Sequence, residues 1–387
     1  MNIKVGFIGF GLIGGSIARA LKKSDSSIYM MVYSRSINPL MQAKEDGVID
    51  EILSSLNDRL NECDFIFLCA PVEYNESYLK DIAGLINENC IISDVGSVKS
   101  YIYDSVHKLN LDKNFIGGHP MAGSEKTGYS ASTDILLQNA YYAITRTDYN
   151  TDKDVAKLTE LVRMTGAIPI ITDPVTHDYA VAGISHVPHL IASSLVNLVK
   201  DNDTDANLMK TLAAGGFKDI TRIASSSAEM WSQICMTNDK QIVTLLDRYI
   251  ESLNNVRNMI IQKNRDGIYN MFIDSKEYRD SIGINKGPIS KDYTLYCDIE
   301  DKEGAISSIT LLLSDNHINI RNIEIIHNRE FVNGVLLIAF YDQPSILIYY
   351  RPITILFTGK FNINKMCKGL HGIIHFLISV CLCPCFY

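Results

Sequence analysis

The stretch Lys4-Val-Gly-Phe-Ile-Gly-Phe-Gly-Leu-Ile-Gly-Gly-Ser-Ile-Ala18 decides how the first half of this chain folds. Val5 to Ile8 is a short apolar run of the kind that buried strands carry. It breaks at Gly9-Phe10-Gly11-Leu12-Ile13-Gly14, a G-x-G-x-x-G, and resumes as a helix through Ser16-Ile-Ala-Arg-Ala-Leu21. Strand, glycine turn and helix in that order predict a dinucleotide site. Gly9 permits the tight turn, Gly11 lets a pyrophosphate approach, and Gly14 lets the helix pack on the strand. Leu12 and Ile13 stand at the helix start, where free N–H groups would hold the diphosphate.

Outward from this stretch, strand-like runs recur at 3–8, 29–33, 65–69, 90–94, 115–117, 141–145 and 168–171, separated by helical patterns. Several are apolar on successive residues, as strands covered on both faces are. Residues 1–172 therefore predict an α/β domain with a parallel, doubly wound sheet and helices on both sides. The second strand ends in Val32-Tyr-Ser-Arg-Ser36, where an acid would hold the ribose hydroxyls of NAD. Ser34 and Arg35 offer a hydroxyl and a guanidinium instead, a pair suited to a 2′-phosphate. The cofactor is read as NAD(P)+ with a lean to NADP; a solvated surface arginine is the alternative for Arg35.

Ala70 and Pro71 end the next strand run at the sheet edge where ligands sit. Ser93-Asp-Val-Gly-Ser-Val-Lys99 follows a later strand in the same way, and its turn would present Ser97 to nicotinamide or substrate. Ser97 would equally serve to cap a helix beginning near Val98. Next comes Gly117-Gly-His-Pro-Met-Ala-Gly123. A histidine after a strand, bracketed by Gly-Gly and Pro, reads as a functional group on a rigid exposed loop rather than a packed face. His119 is the catalytic candidate.

From Asp173 the pattern changes to long helices. Gly183-Ile-Ser-His-Val-Pro-His189 opens one, clustering Ser185, His186 and His189 within a turn. No carboxylate or cysteine lies at a metal-ligand spacing, so these residues are assigned hydrogen-bonding roles and no metal is expected. Gly215-Gly-Phe-Lys-Asp-Ile-Thr-Arg-Ile-Ala224 is a glycine-led helix in which Lys218 and Arg222 share a face, with a solvated face as the alternative. Trp231 is expected beside them. The 241–263 segment is amphipathic and suits packing or subunit contact. After a linker at 283–290, strand, helix and two further strands read as the first βαββ of a small α/β sandwich.

Composition bounds the rest. The 387 residues are 47% hydrophobic and 21% charged, enough for two or three globular domains. A net charge of −8 without a basic block argues against nucleic acid as a partner. Only Met1-Asn2-Ile3 precedes the first strand, so no signal peptide is expected and the protein reads as cytoplasmic. Nine cysteines lack the paired spacing of a zinc site. From Pro344 the chain turns apolar and cysteine-rich, and 369–387 carry no Asp, Glu, Lys or Arg. Interruption by His, Gly and Pro makes this a poor membrane span. A frame-shifted or otherwise abnormal terminus fits the change better.

Five of these segments together resemble the prephenate dehydrogenase family, in that family's order and over residues 1 to about 285. They are Gly9 to Gly14, Asp94 to Lys99, Gly118 to Gly123, Ser185 to His189 and Gly216 to Arg222. The resemblance implies oxidative decarboxylation of prephenate to 4-hydroxyphenylpyruvate, with a hydride passing to NAD(P)+, on the way to tyrosine. It implies that His119 accepts a hydrogen bond from the 4-hydroxyl while neutral, with Ser97 assisting. Arg222 would pair with a substrate carboxylate, Ser185, His186 and His189 would shape the pocket, and Lys218 and Trp231 would adjoin it. Residues 173–285 resemble the family's dimerisation domain, implying a homodimer. Residues 292–343 resemble the start of an ACT regulatory domain, with Asp301-Lys-Glu-Gly304 at its ligand turn and an aromatic amino acid as effector. The tail at 344–387 stands where that pattern has a second helix and last strand, which puts feedback in doubt. Rival readings are an arogenate dehydrogenase using the same residues, a β-hydroxyacid dehydrogenase, and a catalytically inactive NAD(P)-binding regulatory protein. The second lacks a catalytic lysine on its long helix.

Overall fold

Successive residues of the first strands point to opposite faces, and both faces are buried. Val5 and Phe7 of β1 (Lys4–Ile8) join Met30 and Val32 of β2 (Tyr29–Tyr33) and Phe65 and Phe67 of β4 (Phe65–Leu68) in one core. Ile8, Met31, Ile66 and Leu68 enter a second core on the other side. That is why these runs are apolar on consecutive residues. The computed structural model describes residues 3–123, 126–204, 206–282, 293–299, 303–315, 318–326 and 334–340. The chain divides into two compact units, Met1–Ile273 and Asp274–Tyr387.

In the first unit, β3 (Glu51–Ile52) and β5 (Ile91–Asp94) complete a five-stranded parallel sheet in the order β3-β2-β1-β4-β5. Helix α1 (Leu12–Ser24) packs on the first core, while α3 (Val72–Ile82) and α4 (Ser100–Lys108) pack on the second. A further helix, α2 (Ile37–Glu45), leads into β3. The order reverses between β1 and β4, which places a crevice beyond their C-terminal ends.

The later strands depart from the expected single parallel sheet. β6 (Gly117–Pro120), β7 (Tyr141–Thr145) and β8 (Ile168–Thr172) form a separate three-stranded sheet, with β6 antiparallel to β7 and β7 parallel to β8. An isolated parallel bridge, Ile92 to Phe115, joins it to β5 in place of a strand ladder. The reason lies in the connections. α5 (Asp152–Met164) carries β7 over to β8, whereas among the described residues between β6 and β7 the helical element is a 3₁₀ turn, Tyr129–Ala131. Without a crossover helix, antiparallel pairing is the accessible solution. His119 therefore lies within a strand, half-buried, and not on the exposed loop expected from its Gly-Gly and Pro neighbours.

The helices that follow are α6 (Pro174–Val181), α7 (Val187–Asn202), α8 (Leu208–Leu212), α9 (Gly215–Thr221), α10 (Ala228–Thr237), α11 (Asp239–Ile261) and α12 (Arg265–Ser281). Two expectations are corrected here. Gly183 does not open a helix: α6 and α7 are one continuous rod, Pro174–Asn202, interrupted by a π turn at Ala182–His186. Pro188 has no N–H to give, and its ring would crowd the carbonyl four residues back, so the preceding turn widens. By length and composition this rod could cross a membrane, but it buries His177, Asp178 and His186, which a lipid-facing helix would not. The second correction is that Lys218 and Arg222 do not share one helix. α9 ends at Thr221, and Arg222 begins a 3₁₀ turn, Arg222–Ser225.

The second unit holds β9 (Tyr293–Ile299), α13 (Ala305–Asp315), β10 (Ile320–Ile326) and β11 (Gly334–Phe340). Its sheet is antiparallel in the order β10-β11-β9. The linker at 283–290, Asp301-Lys302 and the tail at 344–387 lie outside the described residues.

Candidate functional site

The turn after β1 is built by backbone geometry. Gly9 has φ +82°, and a β-carbon there would stand 2.8 Å from the Ala70 amide nitrogen. Its own N–H donates to the Tyr33 carbonyl at 2.8 Å, while Cys69 N–H donates to the Ile8 carbonyl at 2.8 Å. The turn is thus seated between the ends of β2 and β4. A β-carbon on Gly14 would lie 3.1 Å from Cys69 Cβ, so that glycine brings α1 close to the end of β4. Gly11 differs from both, because a β-carbon there would meet nothing within 4 Å. It is the N-cap of α1 and gives the helix no side-chain acceptor. The first-turn N–H groups, including those of Leu12 and Ile13, have no carbonyl of their own helix to bond and carry the positive end of the helix dipole. A diphosphate fits this cradle. Ser34 follows β2 half-buried, and the exposed Arg35 guanidinium lies over the Tyr74 ring at 4.5 Å. Half-buried Ala70 and exposed Pro71, the N-cap of α3, line the same edge.

The second group of residues is assembled from four distant segments. His119 Nδ1 lies 2.9 Å from His177 Nε2, and His177 Nδ1 lies 2.8 Å from Asp178 Oδ1. His177 and Asp178 occupy the first turns of α6, whose start is fixed by Asp173: its carboxylate accepts from Val175 and Thr176 N–H ahead of Pro174. Asp178 also accepts from Lys99 N–H at 2.8 Å and Ser100 N–H at 2.7 Å. This carboxylate, not Ser97, satisfies the start of α4, whose N-cap is Lys99. Ser97 stays in the preceding loop, half-buried.

Beneath His119 runs a buried ion pair between Lys99 Nζ and Asp94. Lys99 Nζ also donates to the Gly118 carbonyl at 2.6 Å, and Gly118 N–H donates to Asp94 Oδ1 at 3.3 Å. The pair grips the peptide groups just before His119. No side chain fits at Gly118, where a β-carbon would meet the Asp94 carbonyl at 2.6 Å.

At the π turn, His189 Nδ1 hydrogen-bonds the Ser185 carbonyl at 2.8 Å, and its ring stacks on Trp231 at 3.7 Å. Trp231 also meets His186 edge-on, and among the described residues its buried indole N–H has no partner. Its ring partners are these two histidines, a contact its sequence neighbourhood did not suggest. His186 Nδ1 lies 3.1 Å from Asn238 Nδ2, which also donates to the Asp178 carbonyl at 2.9 Å. Ser185 is half-buried, while Lys218 and Arg222 are exposed on α9 and the 3₁₀ turn that packs against α7.

Burial sets the protonation states. It pushes the His119 imidazole well below the ordinary histidine range, helped by the positive charge of Lys99 and the neighbouring His177 and His186. His186 is pushed down to about 4 by burial, against the pull of Asp178. Burial alone would raise the Asp178 carboxyl. Hydrogen bonds from His177, Ser100 and Lys99 outweigh it and hold the group below the usual carboxylate range. A His119 imidazole held below the ordinary range suits proton acceptance from a hydroxyl.

His177, Asp178 and Asn238 were not among the residues singled out from sequence. The signal for the first two was an adjacent His-Asp one turn after an Asp-Pro helix start, and nothing local marks Asn238.

Residues 17–171 match the family model "Prephenate dehydrogenase, nucleotide-binding domain", and residues 173–274 match "Prephenate dehydrogenase, dimerization domain". The chain is 37% identical to the prephenate dehydrogenase of Bacillus subtilis (strain 168), over 87% of this chain and 92% of that one. Among solved structures it is similar to prephenate dehydrogenase from A. aeolicus in complex with hydroxyphenyl propionate and NAD+. The TM-score is 0.67 at 30% identity, covering 73% of this chain and 99% of that one. It is likewise similar to Synechocystis arogenate dehydrogenase, with a TM-score of 0.67 at 28% identity over 73% of this chain and 100% of that one.

Proposed function

The chain belongs to the prephenate dehydrogenase family, NAD(P)-dependent oxidoreductases acting on prephenate or arogenate, and we propose that prephenate is its substrate. The product is 4-hydroxyphenylpyruvate and carbon dioxide. The bound nicotinamide supplies the hydride acceptor. Loss of carbon dioxide makes the ring aromatic, so the protein's own task is to position groups and to hold one proton that returns to the ring oxygen as the product forms. His119 does this at the 4-hydroxyl; the observation that carries the reading is its place at the end of the His119–His177–Asp178 chain, with burial holding its imidazole below the ordinary histidine range. Ser97 assists at the same hydroxyl. Arg222 pairs with a substrate carboxylate, where a planar guanidinium fork offers two parallel hydrogen bonds. Ser185, His186, His189 and Trp231 form the wall, with Lys218 at its rim.

Gly9, Gly11, Leu12, Ile13 and Gly14 hold the diphosphate. Ser34 and Arg35 face the adenosine ribose and favour NADP, with Arg35 held flat by Tyr74. Exposed apolar residues along α11, among them Val243, Leu253 and Ile260, supply the contact surface of a homodimer. The βαββ order of the second unit supports an ACT-like module open to an aromatic amino acid. A cytoplasmic location completes this proposal.

Arogenate is the second reading, since the Synechocystis protein named for it matches as closely in fold. The deciding experiment follows reduction of NAD+ and NADP+ by purified protein with prephenate and arogenate supplied in turn. Turnover of prephenate at the higher kcat/KM is expected. Preference for arogenate would replace the substrate, and dinucleotide binding without any turnover would replace the enzyme by a binding protein.

A further inference from the structure

The chain Asp178–His177–His119 fixes where protons sit, and the order follows from one end. Asp178 Oδ1 and Oδ2 accept from the Lys99 and Ser100 amides, and the carboxylate is ionised and 1% exposed. It can only accept, so His177 Nδ1 must carry the hydrogen between them. In neutral His177 that leaves Nε2 as a bare acceptor. His119 Nδ1, 2.9 Å away, must then be the donor, and His119 Nε2 is left without a hydrogen. The lone pair needed to receive a proton is thereby placed on Nε2, the ring nitrogen for which the described residues give no hydrogen-bond partner.

We infer that His177 and Asp178 act as positioning residues that hold His119 in its Nδ1–H tautomer, and that His177 receives the proton the substrate gives up. This rests on the prephenate or arogenate reading above. The balance is simple. The substrate O–H bond breaks and an N–H forms at His119 Nε2. The His119 Nδ1–H bond breaks and an N–H forms at His177 Nε2. His177 is then an imidazolium whose Nδ1–H still points at the Asp178 carboxylate, so the new charge is paired rather than left beside Lys99. As carbon dioxide leaves and the ring becomes aromatic, the ring oxygen takes the proton back along the same path, so the product keeps its hydroxyl and no net proton is released. The groups facing His119 bear this out: His177 from α6, Lys99 before α4 and His186 from the π turn each disfavour a cation there, and Asp94 is engaged by Lys99 and the Gly118 N–H. Of the three histidines, His177 is the one whose ring hydrogen-bonds a carboxylate among the described residues, 2.8 Å from Asp178 Oδ1.

Two measurements test this, and the first does not depend on turnover. Nitrogen NMR of the protein labelled at its histidines should show His119 as the Nδ1–H tautomer at neutral pH, with a coupling across the hydrogen bond to His177. An Nε2–H tautomer at His119 would overturn the inference while leaving the substrate reading untouched. The second compares His177→Gln and His177→Leu on whichever substrate turns over. Gln keeps an acceptor for His119 Nδ1–H but cannot take the proton, so its plateau kcat should fall about tenfold, and that of Leu about a hundredfold, with KM within about twofold. With Gln the acid limb of the kcat profile should shift by at least about one unit, because the proton can no longer pass to His177 and has to stay on His119. Equal losses in the two variants with an unmoved acid limb would reduce His177 to a packing residue. Should the wild type turn over neither substrate, the function reading fails and the NMR result still decides the tautomer.

Discussion

The glycine turn after β1 and the histidine chain between β6 and α6 are built in opposite ways. The turn is made by six consecutive residues, and its chemistry is that of the backbone: N–H groups, one positive φ and space. The histidine chain needs side chains from β5, β6 and α6, with Lys99 just ahead of α4 and Asn238 just ahead of α11, separated by as many as 144 positions between Asp94 and Asn238. A local device survives as long as its own few residues do. An assembled one depends on every element that brings its parts together, so the two should fail differently when changed.

The largest effect should come from His119→Asn. Loss of a proton acceptor should lower kcat by about a thousandfold, within the usual range for general bases. KM and the dinucleotide Kd should stay within about twofold, because the glycine turn is untouched. Steady-state kinetics with a separate binding titration would check this. A matching loss of dinucleotide affinity would mean that the two regions are not independent.

Lys99→Met attacks the support beneath His119. It leaves Asp94 buried without its cation, a change that costs on the order of 3–5 kcal/mol in comparable sites. Urea unfolding should show that loss. Adding Asp94→Leu should recover much of it, because the uncompensated charge is gone. If the double variant is no more stable than the single one, the pair's hydrogen bonds to Gly118 matter more than its charge.

The same contrast explains what could be read from the sequence. Gly9 to Gly14 and the strand runs around them carry their signal in adjacent residues, so the parallel sheet and its crevice were legible. His119 was legible as a residue but not as a place. Gly-Gly and Pro suggest a loop, and only the pairing of His119 with Ala143 across β7 makes it a strand position. Ser97 suggested a cap that Asp178 provides from 78 positions away. The π turn had a local cause in Pro188, yet the motif Ser185 to His189 looks equally like a helix start. Trp231 and Asn238 meet the histidines only through tertiary packing, for which no spacing rule exists.

Acid should weaken the assembled region. His186 sits at about 4 in the fold against an ordinary 6.5, so the unfolded chain takes up its proton first as pH falls. Its contribution is complete above about 6.5 and lost on the way to 4. The depressed His119 adds to the loss in the same direction, and Asp178 extends it to lower pH as its carboxylate protonates. For His186 alone the loss is roughly 3 kcal/mol. Urea midpoints measured between pH 7.5 and 4.5 should show the decline, and His186→Gln should flatten it. A pH-independent midpoint would mean that these histidines are not buried neutral.

The smallest effects should come from the turn, and two glycines separate its two jobs. Gly9→Ala forces a β-carbon into a left-handed backbone position and to within 2.8 Å of the Ala70 nitrogen. Stability should fall by about 1–3 kcal/mol, and dinucleotide binding should weaken as the turn shifts. Gly11→Ala places its methyl where nothing lies within 4 Å, at φ −107°. The protein should fold with stability changed by less than about 0.5 kcal/mol. The dinucleotide Kd should nevertheless rise about tenfold, a cost of about 1.4 kcal/mol, because the methyl occupies the space of the ligand rather than of the protein. Equal losses of stability in the two variants would make Gly11 a folding residue like Gly9. An unchanged Kd for Gly11→Ala would move the diphosphate away from the α1 N-terminus altogether.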